Sequence, residues 1–245
     1  MRIVSYNTQA GFANGRQLHD WEAQASLLAT YSADVIALQE VAIRHPQGKP
    51  IDYPAEVART LGMNYLFAEA MPLKPDGHYG VGLLSRYPLE HVATIQLPVP
   101  QDIEPRVALV ARVLAPTPFC LVSTHLSYHG EFPGDDEGRV RQMECILDFL
   151  EANRLFPIIL AGDLNTAPNA PALQALRRKF EVFNDNRDAR PTAKTSKFGW
   201  LQIDYIAGTP SSAISCTAFR VSDDCRASDH YAVIADVEIT AATTT

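Results

Sequence analysis

No uninterrupted apolar run approaches the ~20 residues that a membrane-spanning helix needs. The opening Met1-Arg2-Ile3-Val4-Ser5-Tyr6-Asn7 also lacks the charged-then-apolar layout of a secretory leader. These absences set the expectation of a cytoplasmic protein. Cysteine is sparse: Cys120, Cys145, Cys216 and Cys225 show no C-x-x-C pair and no metal-ligand spacing. Cys120 and Cys145 fall inside apolar patterns, where a free thiol packs as a small hydrophobe. A Cys216–Cys225 bridge is conceivable on sequence but disfavoured in a reducing compartment. Positive charge is short as well, with 21 bases against 28 acids and a net charge of −7. Duplex DNA is held largely by phosphate neutralisation, which calls for a basic stripe. Here the bases are scattered apart from Arg177-Arg178-Lys179, so bulk nucleic acid loses support while an acidic metallo-nuclease stays compatible. There is no solenoid repeat and no low-complexity linker.

What is present is an ordinary globular composition, 47% hydrophobic and 20% charged. The stretch that organises the rest is Phe156-Pro157-Ile158-Ile159-Leu160-Ala161-Gly162-Asp163-Leu164-Asn165. Its apolar run between Pro and Gly reads as a buried strand. Side chains two apart at a strand end point the same way, so Asp163 and Asn165 project together from a sheet mouth.

The chain repeats that design. Residues 2–8 read as a first strand ending at Asn7, and Leu18, Trp21, Ala25 and Leu28 mark a helix over roughly 16–32. Asp34–Val41 is too apolar for a one-faced strand and contains Glu40. A helix over 54–61 stops at Gly62 as its C-cap. The middle is β-rich, with strands at 64–69, 80–85, 89–97, 107–114 and 119–125. An acidic loop at 128–138 precedes a helix carrying Val140, Met143, Ile146, Leu147 and Leu150. After the strand at 157–161 come a short helix near 171–178, a polar stretch over 184–197, a strand around Ile203–Ile206 and a last strand from Tyr231 to Ile239. The mixture predicts an α/β fold with two packed sheets and helices outside, one domain over 1–240, and a frayed tail at 241–245.

Polar residues end or interrupt these apolar strands: Asn7, Glu40, His125, Asp163, Asn165, Asp204, Asp229 and His230. Each alone has a plain structural reading, as a turn residue, a surface acid or a hydrogen-bonded core histidine. Buried charges are normally paired or metal-bound, and so many beside apolar strands are satisfied most simply by converging on one site. An oxygen-rich set suits a hard divalent cation, with Glu40 as the first ligand and Asn7 and Asp229 next. Such chemistry fits phosphoester hydrolysis, with Asp163 orienting or deprotonating a water and Asn165 donating to phosphoryl oxygens. His230, oriented by Asp204, serves as a phosphate donor when cationic and as a base when neutral.

Tyr6-Asn7, Leu38-Gln39-Glu40-Val41, Gly80-Val81-Gly82-Leu83-Leu84-Ser85-Arg86, Ser123-Thr124-His125-Leu126, Gly162-Asp163-Leu164-Asn165, Ile203-Asp204-Tyr205-Ile206 and Ser228-Asp229-His230 stand in that order along the chain. Together they resemble the endonuclease/exonuclease/phosphatase superfamily, from residue 2 to about 238. The resemblance implies a four-layer α/β sandwich of two mixed sheets flanked by helices, of the deoxyribonuclease I type. It also implies Mg²⁺ or Mn²⁺ as cofactor and direct attack of water on phosphorus. In that pattern Glu40 matches the main metal ligand, with Asn7 beside it and Asp229 as a further metal or histidine partner. Asp163 matches the water-orienting acid, Asn165 the residue that steadies the transition state, and His230 the phosphate-contacting histidine paired to Asp204. His125 matches the second histidine of the deoxyribonuclease and sphingomyelinase branches. A variable phosphate-facing position falls at Gly77-His78-Tyr79-Gly80, which nominates His78 or Tyr79; Arg106 sits near where some members carry an arginine, and Arg141-Gln142 resembles another helix signature.

The resemblance leaves the substrate open, since function lives in loops grafted on the fold. A hydrolase of small or lipid-linked phosphoesters fits the acidic charge and His125. A repair-type DNA nuclease fits Gly77-His78-Tyr79-Gly80-Val81 and Trp200, although Trp200 stands one residue too far from Asp204 for a clean match. A non-catalytic binding protein on the same scaffold is the third reading, opposed by the retention of Glu40, Asp163 and His230.

Overall fold

The computed structural model describes residues 1–13, 18–128, 135–185, 187–195, 199–210 and 213–240. In chain order it begins with β1 (Arg2–Asn7), a 3-10 turn (Gln9–Gly11), β2 (Phe12–Ala13), β3 (Leu18–His19), α1 (Trp21–Thr30), β4 (Val35–Ile43) and α2 (Tyr53–Leu61). Then come β5 (Asn64–Leu73), β6 (Gly77–Ser85), β7 (Leu89–Leu97), β8 (Arg106–Val113), β9 (Phe119–His125), α3 (Asp135–Ala152), β10 (Ile158–Asp163) and α4 (Pro171–Arg177). The last strands are β11 (Glu181–Val182), β12 (Ala193–Thr195), β13 (Gly199–Leu201), β14 (Asp204–Gly208), β15 (Ile214–Val221) and β16 (Val233–Ile239).

Two six-stranded sheets result, in the orders β15-β16-β1-β4-β6-β5 and β11-β14-β10-β9-β8-β7. Each holds one parallel pair, β1 with β4 and β9 with β10, between antiparallel neighbours. Alternation along these strands builds three apolar layers. Ile3, Leu83, Leu109, Ile159, Ile206 and Val233 interdigitate between the sheets. Val4, Ile36 and Leu84 face outward onto Leu28 of α1 and Val57 of α2. Val122 and Leu160 face the other way, onto Met143 and Ile146 of α3 and Leu173 of α4. Fully burying such a side chain is worth roughly 1.5–3 kcal/mol, so strands buried on both faces hold the sheets in fixed alignment. The architecture is the expected helix–sheet–sheet–helix sandwich.

Local signals explain most boundaries. Asp20 caps α1 by accepting from the Ala23 amide at 3.0 Å, and Asp52 caps α2 from the Ala55 amide at 3.1 Å. Gly62 closes α2 in the left-handed conformation at φ +64°. The helix expected over 16–32 is shorter, because Asp20 starts it and Leu18 pairs with Ala13 in a small ribbon instead. β15 escapes the pattern reading altogether: it is an edge strand, and its Ser215, Ala218 and Phe219 are only partly covered, so no apolar alternation marks it. Part of the polar stretch over 184–197 folds into the hairpin β12–β13. Most of the acidic loop at 128–138 and the tail at 241–245 lie outside the described residues, and α3 already begins at Asp135. The four cysteines are unpaired. Among the described residues no helix is long and apolar enough to cross a membrane.

Candidate active site

The topology delivers the polar residues to one edge. Asn7, Glu40, His125 and Asp163 lie at or near the carboxyl ends of the two parallel pairs. β14 and β16 run antiparallel to β10 and β1, so Asp204 opens β14 at the same edge, and Asp229 and His230 arrive just before β16. Register does the fine placement: Asp163 lies opposite His125 on one side and Asp204 on the other, three functional side chains abreast on adjacent strands. His125 and Asp163 line a groove of about 720 Å³, and Asp204 is fully buried beside them.

Glu40 reaches that groove through a bulge. Between Leu38 and Val41 β4 takes three steps while β6 takes two, from Gly82 to Gly80. The extra residue leaves Glu40 at φ +50°. Asn165, two residues past the end of β10, sits at φ +47°. Non-glycine residues held there cost of order 1–3 kcal/mol and persist only where surroundings enforce them. The Thr8 hydroxyl does so for the bulge, donating to the Glu40 carbonyl at 2.8 Å and the Gln39 carbonyl at 3.1 Å. For Asn165, its own amide donates to Asp163 Oδ1 at 2.9 Å and its side chain to the Leu126 carbonyl at 3.0 Å.

Asp163 is the hub. Its Oδ2 accepts from Asn7 Nδ2 at 3.0 Å, with His125 Nε2 at 3.5 Å and His230 Nε2 at 3.7 Å. Asn7 Nδ2 also donates to Glu40 Oε1 at 3.1 Å, linking hub and bulge. His230 Nδ1 lies 2.9 Å from Asp204 Oδ2, and Asp204 is in turn held by the Thr192 hydroxyl, which accepts from its amide at 3.0 Å. Asp229 Oδ2 accepts from Gln9 Nε2 at 2.7 Å.

Electrostatics separate the two histidines. For His230, burial alone pushes the pKa down, but the adjacent Asp204 outweighs it and, with Asp163 and Asp229, raises the imidazole to about 10. For His125, burial, the Arg106 guanidinium and His230 all act downward and hold it well below the ordinary value. Asp163 is raised by burial and by Asp204, partly offset by His230. The Tyr79 hydroxyl is raised by burial, then by Glu40 and Glu104.

A family model described as the endonuclease/exonuclease/phosphatase family matches residues 4–230. The chain belongs to that family. It is 23% identical over 255 residues to the uncharacterised protein YbhP of Escherichia coli strain K12, covering 97% of this chain and 96% of the relative. A family structure from Beutenbergia cavernae superposes with a TM-score of 0.80 at 24% identity, covering all of this chain and 72% of the other. A mannosyl-6-phosphatase from Bacteroides thetaiotaomicron VPI-5482 superposes with a TM-score of 0.73 at 16% identity, covering 97% of this chain and 99% of the other. Both likenesses concern the fold.

Within this family frame, the structure lines one groove with Glu40, His125, Asp163, Asn165, Asp229 and His230 and puts Tyr79 and Arg106 in its wall, while the fully buried Asn7 and Asp204 hold Asp163 and His230 by hydrogen bonds. His78 does not join them. Alternation along β6 turns it away from Tyr79, and it pairs with Glu69 at 3.0 Å on a partly exposed face. Arg141 is also elsewhere, on the outer side of α3 beside Glu137 at 2.7 Å. Its neighbour Gln142 is buried and holds the Ser127 amide and hydroxyl, fixing the segment that follows His125. Gln9, Glu104, Thr192 and Lys194 were invisible as site residues in the sequence. Only Gln9 left a trace, two positions after Asn7.

Two sets of groups have the chemistry to hold a metal. Asp163, Asp204 and His230 offer ligand atoms within 4.8 Å of one another. Their hydrogen bonds already commit them, however: His230 Nδ1 to Asp204 and Asp163 Oδ2 to Asn7. Glu40, Asn7 and Asp229 form an all-oxygen donor set for a hard cation, with Glu40 presented at strained backbone. This set is hydrogen-bonded too: Glu40 Oε1 accepts from Asn7 Nδ2, Asn7 Oδ1 from the Gln9 amide and Asp229 Oδ2 from Gln9 Nε2.

Proposed function

We propose that this protein is a divalent-metal-dependent hydrolase of small or lipid-linked phosphoesters, attacking phosphorus with an activated water. The observation that carries the reading is the convergence of Asn7, His125 and His230 on Asp163 Oδ2. Burial and Asp204 raise the affinity of Asp163 for a proton, which suits it to take one from the attacking water. His230, held cationic by Asp204, donates from Nε2 to a phosphoryl oxygen. The Asn165 amide adds a donor on the side of Leu126. Glu40, with Asn7 and Asp229, would hold Mg²⁺ or Mn²⁺, and the bound ion would supply positive charge against the phosphoryl oxygens.

Size and charge support a small substrate over a polymer. The groove has the volume usual for a small ligand. Its lining sets Glu40, Glu104, Asp163 and Asp229 against Arg106, Lys194 and the cationic His230, with no basic stripe for a polyanion to follow. The mannosyl-6-phosphatase of the same fold gives a small phosphate ester a precedent. Trp200, exposed at the rim and leaning on Tyr231 at 5.5 Å, is the feature that favours a nucleic-acid substrate.

The deciding assay runs bis-p-nitrophenyl phosphate, p-nitrophenyl phosphate and an abasic-site duplex side by side, with Mg²⁺, Mn²⁺ or chelator. Metal-dependent turnover of the small esters, lost in Glu40→Ala and His230→Ala, is the expected result. Preferential nicking of the duplex would replace it with the nuclease reading. No turnover of any of the three, together with no metal binding, would sink the hydrolase reading.

A further inference from the structure

We infer that Arg106 is a positioning residue that fixes His125 as a neutral ring with its single proton on Nε2, aimed into the groove as a permanent phosphate donor. The inference rests on the phosphoester reading for the identity of what the ring meets, and on geometry for the rest.

Arg106 Nη1 lies 2.9 Å from His125 Nδ1, and both side chains are buried. A guanidinium has only donors, so the contact is attractive only if Nδ1 presents its lone pair. A neutral ring then carries its proton on Nε2. That nitrogen has two neighbours, Asp163 Oδ2 at 3.5 Å and Asn165 Nδ2 at 3.0 Å. Each tautomer leaves one donor facing a donor: a proton on Nε2 meets the Asn165 amide, and a proton on Nδ1 meets the guanidinium. A hydrogen bond from a charged donor is roughly twice as strong as a neutral one, so Arg106 wins over Asn165. Asn165 Nδ2 keeps its bond to the Leu126 carbonyl in either case.

Arg106 is itself anchored. Glu104 Oε1 sits 2.8 Å from Nη1, and β8 places the arginine across from the end of β9. The charged groups around the His125 ring are Arg106 with its partner Glu104 from the β8 side, Asp163 from β10 and His230 from the segment before β16. Arg106 puts a cation in direct contact with the ring, which opposes a second positive charge there. The two histidines thus differ in their nearest partner, a carboxylate for His230 and a guanidinium for His125. His125 cannot then be the proton source for a leaving group, because giving up its only ring proton would leave an imidazolate.

The test is ¹⁵N–¹H correlation spectroscopy of the ¹⁵N-histidine-labelled full chain, with His125 assigned by comparison with His125→Gln. The expected spectrum shows an unprotonated Nδ1 and a protonated Nε2 across the neutral range and well below the ordinary imidazole value of ~6.5. A protonated Nδ1, or a ring that titrates near ~6.5, would overturn the inference. In Arg106→Gln the ring is expected to lose its tautomer preference and to titrate. The kcat/KM profile should gain a pH-dependent limb near ~6.5, with a loss of about 10- to 100-fold at neutral pH, as for other partners of functional histidines. An unchanged His125 signal in Arg106→Gln would remove Arg106 from this role. Wild-type protein that keeps the tautomer but turns over no phosphoester would remove the proposed function and leave the positioning assignment standing.

Discussion

His230 Nδ1 sits 2.9 Å from Asp204 Oδ2, and this contact turns Nε2 of the same ring toward Asp163, 3.7 Å away. One carboxylate fixes the orientation and the charge of the imidazole, and a second receives its far side. Against burial, Asp204 makes the largest contribution to that setting, and it is fully buried with its amide tied to Thr192.

Asp204→Asn tests that setting. A cationic His230 exists below its pKa, so its contribution to activity is lost as pH rises through about 10. In Asp204→Asn the alkaline limb of kcat/KM should move down toward the ordinary ~6.5, with turnover reduced about 10²- to 10⁴-fold. The stability linkage has the same sign: a raised histidine pKa stabilises the fold below the unfolded value and ceases to do so above the folded one. A limb that stays put would dissociate Asp204 from the charge of His230.

Glu40→Gln should raise the Mg²⁺ concentration for half-maximal activity at least about tenfold while leaving thermal unfolding of the metal-free protein nearly unchanged. The residue is partly exposed at the groove, so little packing is lost. Isothermal titration with Mg²⁺ and Mn²⁺ reads the effect without turnover.

Gly162→Ala should damage both stability and catalysis. A Cβ at Gly162 would meet the Thr124 carbonyl oxygen at 2.1 Å, so β10 must move off β9. That shift pulls Asp163 out of register with His125, its partner across the pair. A cost of about 1–3 kcal/mol in urea unfolding is expected, as for overpacking generally, together with a fall in kcat at unchanged metal affinity.

Asp188 gives an acid-side prediction away from the chemistry. The Arg190 guanidinium, against burial, lowers its pKa to about 2 with help from the Val221 and Arg190 amides. A depressed carboxylate contributes stability above its unfolded value of ~3.9, and that contribution fades as pH falls toward about 2. With Arg190 half exposed, solvent screening holds the contribution to about 1 kcal/mol or less. Asp188→Asn should flatten the decline of stability across that interval in chemical unfolding series, and loosen Gln202, which donates to the Asp188 carbonyl.

Much of the sandwich and its site is written in local pattern. Strands buried on both faces appear as apolar runs, and a polar residue at the end of such a run has few places to go except a shared groove. Asn7, Glu40, Asp163 and Asp204 announce themselves that way. What the pattern cannot carry is facing and register. His78 and Tyr79 are adjacent in sequence, but strand alternation puts one in the groove wall and the other against Glu69. β15 hides because an edge strand needs no clean apolar face. Gln9 meets Asp229 across 220 positions, a contact made only by the β1–β16 pairing.

By itself the sequence determined which residues are available for chemistry, because burying so many polar groups beside apolar strands costs too much unless they meet. Tertiary structure decided which partners surround each one. Two histidines of identical intrinsic chemistry acquire opposite character here. Asp204 comes to His230 from β14, and Arg106 comes to His125 from β8. The charge on an imidazole is set by its nearest partner, and those partners are chosen by strand order rather than by neighbours in the chain.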